Sequence, residues 1–165
     1  LTKGLESFHG VRRRQEVRFD RNGITLIEDF AHHPTAVRET IAGVREMYPG
    51  RRLIAVFEPR SNTSRRKAFQ DEYIRAFAAA DHVVLCNVPP RTGEKQEELL
   101  DVSMLVEKIS LNGTTAVALP DSSSIEKHLL SQIKAGDTIL VMSNGSFGGL
   151  IDSFIGALSA DPGQI

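Results

Sequence analysis

Glu28-Asp29-Phe30-Ala31-His32-His33-Pro34-Thr35 sits where one periodicity gives way to another. The apolar run Ile24-Thr25-Leu26-Ile27 leads in and reads as a buried strand. Beyond it Val37, Ile41, Val44 and Tyr48 recur at helical spacing, with Arg38, Glu39, Arg45 and Glu46 on the other face. Pro34 falls in the first helical turn, where its missing N–H costs nothing. The stretch is therefore a strand-to-helix turn that carries acids and imidazoles. Turns of this kind lie at the carboxyl ends of parallel strands, beside helix N-termini that favour anions. Asp29 there can accept from sugar hydroxyls, and His32 or His33 can donate to a phosphate.

Upstream, Gln15 to Asp20 and Gly23 to Glu28 read as paired strands around Asn22-Gly23, a strong hairpin signal. The run Arg12-Arg13-Arg14 precedes them. If it continues the strand, Arg12 and Arg14 share one face and Arg13 takes the other. Downstream, strands and helices alternate. Strands are predicted at Arg52 to Phe57, His82 to Cys86, Thr114 to Leu119 and Asp137 to Met142. Between them lie helices presenting Phe69, Tyr73, Ala76, Phe77 and Ala80, then Val102, Leu105, Val106 and Ile109 behind Asp101 as cap. A further helix shows Ile125, Leu129 and Ile133, with Ser123 and Glu126 forming a capping box and Gly136 past its end. Leu150, Ile151, Phe154, Ile155 and Leu158 mark the last helix, and Asp161-Pro162-Gly163 a fraying tail. This order predicts an α/β fold: a mostly parallel sheet with helices on both faces and one antiparallel N-terminal hairpin strand.

The 165 residues suit one domain, and 41% apolar with 25% charged residues excludes a disordered chain. A net charge of -1 gives no general case for nucleic acid or an anionic membrane. No apolar run spans a bilayer and no signal peptide is seen, which makes a cytoplasmic protein the expectation. The lone Cys86 ends an apolar run and reads as a small buried hydrophobe, unable to build a cysteine metal site. His82 and His128 stand isolated in sequence and receive no role. The chain opens in mid-pattern at Leu1-Thr2-Lys3-Gly4, which predicts a piece of something larger.

In such a sheet the loops after the parallel strands share one edge. Asp29 with His32 and His33, Glu58 to Thr63, Asn87 to Glu94, and Ser143 to Phe147 therefore gather there. Ser143-Asn144-Gly145-Ser146-Phe147-Gly148-Gly149 offers backbone N–H groups to an anion but lacks the dinucleotide spacing. Arg60 suits a carboxylate, with Ser61, Asn62 and Thr63 as neighbouring polar groups. No Gly-Lys phosphate loop, Gly-x-Ser-x-Gly turn or His-x-x-x-His metal pair occurs. The residues alone define an anion-friendly edge without a complete catalytic set or a metal site.

Phe8-x-Gly-Val-x-Arg-Arg, followed by Gly23-Ile24-Thr25 and Asp29-Phe30-Ala31-His32-His33-Pro34-Thr35, resembles the C-terminal domain of the Mur ligases. These are ATP-dependent amide ligases of peptidoglycan synthesis with a Rossmann-like third domain. Phe57-Glu58-Pro59-Arg60-Ser61-Asn62-Thr63-Ser64-Arg65-Arg66 and Met142-Ser143-Asn144-Gly145-x-Phe147-Gly148-Gly149 are similar to the branch that recycles L-alanyl-γ-D-glutamyl-meso-diaminopimelate onto UDP-N-acetylmuramate. The resemblance implies a bacterial protein, with residues 1–14 linking to a central domain that holds ATP, Mg2+ and the phosphate loop, and an N-terminal domain that holds the UDP-sugar. The reaction it implies passes through an acyl phosphate, and this domain alone is expected to be inactive. It also implies Arg14, Asp29 and His32 beside the nucleotide. Arg60, Ser61, Asn62 and Thr63, completed by Ser143, Asn144 and Phe147, are implied at the acceptor. The alternatives are the related ligase that adds L-alanine to the same donor, and a non-catalytic nucleotide-binding α/β module of flavodoxin-like shape.

Overall fold

The computed structural model describes residues 12–160. Its six strands are β1 (Glu16–Arg21), β2 (Ile24–Asp29), β3 (Arg52–Phe57), β4 (His82–Cys86), β5 (Thr115–Leu119) and β6 (Asp137–Met142). The helices are α1 (Pro34–Met47), α2 (Gln70–Ala76), α3 (Val102–Leu111), α4 (Ser122–Gln132) and α5 (Leu150–Ala160). The sheet runs β1-β2-β6-β3-β4-β5. Only β1 pairs antiparallel, across the Asn22-Gly23 turn. Asn22 and Gly23 both adopt positive φ, 55° and 75°, as the favoured hairpin turn demands. The expected architecture is observed.

Alternation along the buried strands splits the core in two. Leu53, Ala55 and Phe57 pack with Val37, Ile41, Val44, Tyr73, Leu105 and Ile109 from α1, α2 and α3. Ile54 and Val56 face the other way, onto Ile125, Leu129, Phe154 and Leu158 of α4 and α5. Because β6 is inserted between β2 and β3, the loop after β6 lies between the loops after those two strands. That placement brings the polar clusters together.

Two sequence readings change. Residues 12–15 do not extend the strand: Arg13 and Gln15 take φ of 57° and 49°, which turns the chain before β1. The face assignment of Arg12, Arg13 and Arg14 therefore does not apply. At α4 the cap is Asp121, whose Oδ1 accepts from the Ser124 amide at 2.8 Å, and Ser123 lies inside the first turn. Glu126 instead accepts from Ser153 on α5. Phe8 to Val11 and the Asp161-Pro162-Gly163 tail lie outside the described residues.

The opposite edge of the sheet is clasped by arginines. Arg51 donates to the carbonyls of Gly23, Gly136 and Asp137 and to the Thr25 hydroxyl. Arg52 pairs with Asp137 through both guanidinium arms, at 3.0 and 2.6 Å. Asp137 is fully buried and also accepts from the Lys134 amide. Removing it leaves a cation and an amide without their partner. Asp137→Ala is expected to cost about 3 kcal/mol, or roughly 6–12 °C in Tm, in a thermal melt.

Candidate functional site

The edge is assembled around Arg13. Its Nε donates to Glu28 at 2.8 Å, and its Nη2 donates to the carbonyls of Ser143 and Gly145. Its own amide donates to Glu16 and its carbonyl accepts from the Phe30 amide. One guanidinium thus ties the arm before β1, the end of β2 and the loop after β6. Arg18 engages the second oxygen of Glu28, so this carboxylate, only 7% exposed, is held between two cations.

Asp29 points inward. It is 3% exposed and accepts from the amides of Gln15 and Ala31 at 2.9 and 2.7 Å, with the Thr40 hydroxyl at 3.4 Å. It fixes the turn into α1. His32 donates from Nδ1 to the Phe30 carbonyl at 3.1 Å, since a carbonyl can only accept, and this leaves Nε2 without the proton in the neutral ring. Tyr73 donates to the His32 carbonyl. His33 accepts from the Thr35 amide as the α1 cap. The Phe30 ring lies between the guanidinium groups of Arg13 and Arg14 and the His32 ring, at 5.1, 5.6 and 5.5 Å. Arg14 and His32 are therefore neighbours through Phe30, on the turn that Asp29 holds.

A separate cleft of 360 Å³ opens over the carboxyl ends of β3, β4, β5 and β6. Arg60, Arg65 and Arg91 line it with Glu58, Asp121 and Phe147. Arg60 is half exposed, and its Nη1 stands 4.0 Å from Glu58. Its side chain packs against the backbone at Gly145, where a Cβ would meet its Cδ at 2.4 Å. Glycine is needed there for close approach. Phe147 is buried at φ 46°, which ends the loop and forms one wall.

The other expected acceptor residues, Ser61, Asn62, Thr63, Ser143 and Asn144, are not among those that line this cleft. Ser61 closes a turn through the Ser64 hydroxyl and amide, at 2.8 and 3.0 Å. The Thr63 carbonyl accepts from Arg66, and Asn62 Oδ1 faces Arg91 at 3.4 Å. Ser143 donates its hydroxyl proton to Glu58 and accepts from the Gly145 amide. Asn144 Oδ1 is buried without a partner among the described residues.

Arg65 and Arg91 line the cleft and Glu94 braces them; the sequence reading placed Asn87 to Glu94 at this edge but gave none of the three a role. Arg65, 5% exposed, pairs with Glu94 and donates to the Pro89 carbonyl. The Glu94 carboxyl is pulled down to about 2, chiefly by Arg65 and then by the Arg91 amide. Arg91 also donates to the Arg60 carbonyl at 2.8 Å. The polar loop of residues 87–98 is thereby strapped to the loop after β3. The paired signs in Arg65-Arg66 and Glu94 were visible, but not their meeting. Cys86 lines the cleft half-exposed, and burial pushes its thiol up to about 11, so it stays protonated at neutral pH.

The fold and this edge define an α/β domain with two polar faces: the Arg14–Phe30–His32 group beside α1 and a cleft with cations and carboxylates. The chain belongs to the Mur ligase family: the family model "Mur ligase, glutamate ligase domain" matches residues 12–145. A UDP-N-acetylmuramate–L-alanine ligase from Nostoc sp. is 36% identical over 97% of this chain and 32% of its own length. A murein peptide ligase from Psychrobacter arcticus is 33% identical with TM-score 0.75, over 94% of this chain and 32% of that one. A domain from Haemophilus ducreyi, assigned to a UDP-N-acetylmuramate:L-alanyl-γ-D-glutamyl-meso-diaminopimelate ligase, is 31% identical with TM-score 0.67. It is covered over 99% of its length by 88% of this chain. The chain spans about a third of the length of the curated relatives it matches. No helix among the described residues is long and apolar enough to cross a membrane.

Arg13→Ala is expected to cost roughly 2–3 kcal/mol, because Glu28 keeps only Arg18 and two carbonyls lose a charged donor. Urea unfolding measures the loss. Amide exchange should rise at residues 143–149 more than in β3 or β4.

Proposed function

We propose that this chain is the acceptor-side domain of an ATP-dependent amide ligase that joins L-alanyl-γ-D-glutamyl-meso-diaminopimelate to UDP-N-acetylmuramate. The cleft at Arg60 carries the reading. The tripeptide brings several carboxylates and a distal amino acid centre with its own ammonium group. Arg60 and Arg91 suit the carboxylates, while Glu58 and Asp121 suit the ammonium. Free alanine needs neither the volume nor the second cation.

On the other face, Arg14, His32 and the turn fixed by Asp29 fit the phosphate and ribose of a nucleotide. Arg14 is exposed, His32 turns Nε2 away from its backbone partner, and Phe30 offers an aromatic edge between them. ATP, when bound with Mg2+ chiefly by a central domain of the parent protein, supplies the phosphoryl group that activates the muramyl carboxylate. This chain's part is to hold the incoming amine and to close on the nucleotide. The proposed setting is bacterial peptidoglycan recycling in the cytoplasm.

The rival reading, an alanine-adding ligase, is favoured by the name of the relative at 36% identity. Acceptor-dependent ADP release by the full-length parent separates them: tripeptide but not alanine should support turnover. The 165-residue chain alone should melt cooperatively and release no ADP. Arg60→Lys in the parent should raise the tripeptide KM at least tenfold and leave the ATP KM near normal, because Lys cannot reproduce the planar fork. Asp29→Ala should do the reverse, raising the ATP KM by on the order of tenfold or more, by loosening the turn under Arg14 and His32. A silent Arg60→Lys would remove the cleft from the acceptor's path.

A further inference from the structure

The loop between β4 and α3 runs beside the cleft with little to hold it. From Pro89 to Glu98 every residue is exposed except Glu94; the buried Val88 precedes this stretch, and Leu99 and Leu100 follow it. Exposed backbone of that length keeps one shape only where specific contacts fix it. One buried cation supplies them. Arg65 reaches over from the loop after β3, donates through Nη2 to the Pro89 carbonyl at 2.8 Å and pairs with the Glu94 carboxylate. Its own carbonyl accepts from the Leu100 amide at 2.8 Å, so both ends of the loop close on the same residue.

Glu94 then folds the loop tip. Its carboxylate accepts from the Arg91 amide at 2.9 Å, and its amide donates to the Arg91 carbonyl at 2.9 Å. Gly93 supplies the positive φ, 83°, in this four-residue turn. From there Arg91 reaches back to the loop after β3. Its Nη2 donates to the Arg60 carbonyl at 2.8 Å, and its Nη1 lies 3.4 Å from Asn62 Oδ1. Arg65 is committed to Glu94. Among the described residues, Arg60 and Arg91 are therefore the cleft arginines with no carboxylate within hydrogen-bond distance, and one backbone carbonyl links them.

We propose that Glu94 is a positioning residue for acceptor recognition: braced by Arg65, it sets Arg91 beside Arg60 so that the two guanidinium groups engage two carboxylates of one acceptor. This rests on the cleft being the acceptor's seat, and it locates the choice of a polycarboxylate over a single amino acid in the turn of residues 91–94. Two arginines already held in place bind a pair of carboxylates with less ordering cost than two free side chains. The Glu94 carboxyl, held down to about 2 by Arg65 and the Arg91 amide, stays ionised and keeps the turn throughout the neutral range.

Steady-state kinetics of the full-length parent, with tripeptide and ATP varied in turn, provide the test. Glu94→Gln should raise the tripeptide KM about fivefold or more and leave kcat and the ATP KM near wild type. Arg91→Gln should raise it about tenfold or more. Because Glu94 acts through Arg91, the double variant should match Arg91→Gln within about twofold, whereas independent effects multiply. Glu98→Gln removes only the exposed partner of Arg66 in the same loop and should be silent. A double variant near the product of the two singles overturns the positioning role. So does a Glu98→Gln as harmful as Glu94→Gln, which marks general loosening of the loop. If Glu94→Gln or Arg91→Gln is silent while Arg60→Lys impairs tripeptide use, the turn has no part in recognition although the cleft does. Silence in Arg60→Lys as well removes the acceptor reading and this proposal with it. If Glu94→Gln melts well below wild type, the ratio of tripeptide KM to ATP KM decides: a structural fault raises both, and an unchanged ratio refutes the proposal.

Discussion

A single guanidinium holds the ligand edge together. Arg13 stands in a left-handed backbone conformation that a non-glycine residue adopts only under constraint, and its partners supply that constraint. Glu28 neutralises it, and the Ser143 and Gly145 carbonyls complete its donors. The consequence runs outward. Fixing Gly145 fixes the surface on which Arg60 lies, and a side chain at 145 would occupy the place of that guanidinium. Ser143, tied to Glu58, sets the far wall of the same loop. The cation that faces the cleft is thus positioned by another cation on the opposite side of the backbone.

This arrangement gives the edge two polar faces with one support. The arm carrying Arg13 also carries Arg14, which shares the Phe30 ring with it. Asp29, buried below, binds the Gln15 and Ala31 amides and so joins that arm to the turn bearing His32. Arg13 and the loop after β6 thus connect this turn physically to the Arg60 cleft.

Much of the fold was legible because local signals agreed with tertiary need. Period-3.6 helices, short apolar strands and an Asn-Gly turn all pointed to one sheet. The place of Arg60 on this edge was legible because it lies three residues past the end of β3. Arg13 was not, because its role depends on positive φ and on carbonyls some 130 residues away, which period-2 reading of an arginine run cannot supply. Ser123 with Glu126 matched the capping pattern, yet Asp121 had the better-placed acceptor and Glu126 was drawn to α5. His82 and His128 looked isolated since 46 residues separate them, and only the α4 crossover makes them neighbours. The strap from Arg65 to Glu94 was hidden for the same reason.

The proposed seat of the acceptor is the cleft that Arg13 organises through Gly145 and Arg60. Amide and guanidinium NMR shifts of the 165-residue chain, titrated with millimolar L-alanyl-γ-D-glutamyl-meso-diaminopimelate, test it most directly. Perturbations are expected at Arg60, Arg91, Ser122 and Phe147 that L-alanine at equal concentration does not produce. Shifts confined to the Asp29–His32 turn, or identical responses to alanine and tripeptide, would contradict it.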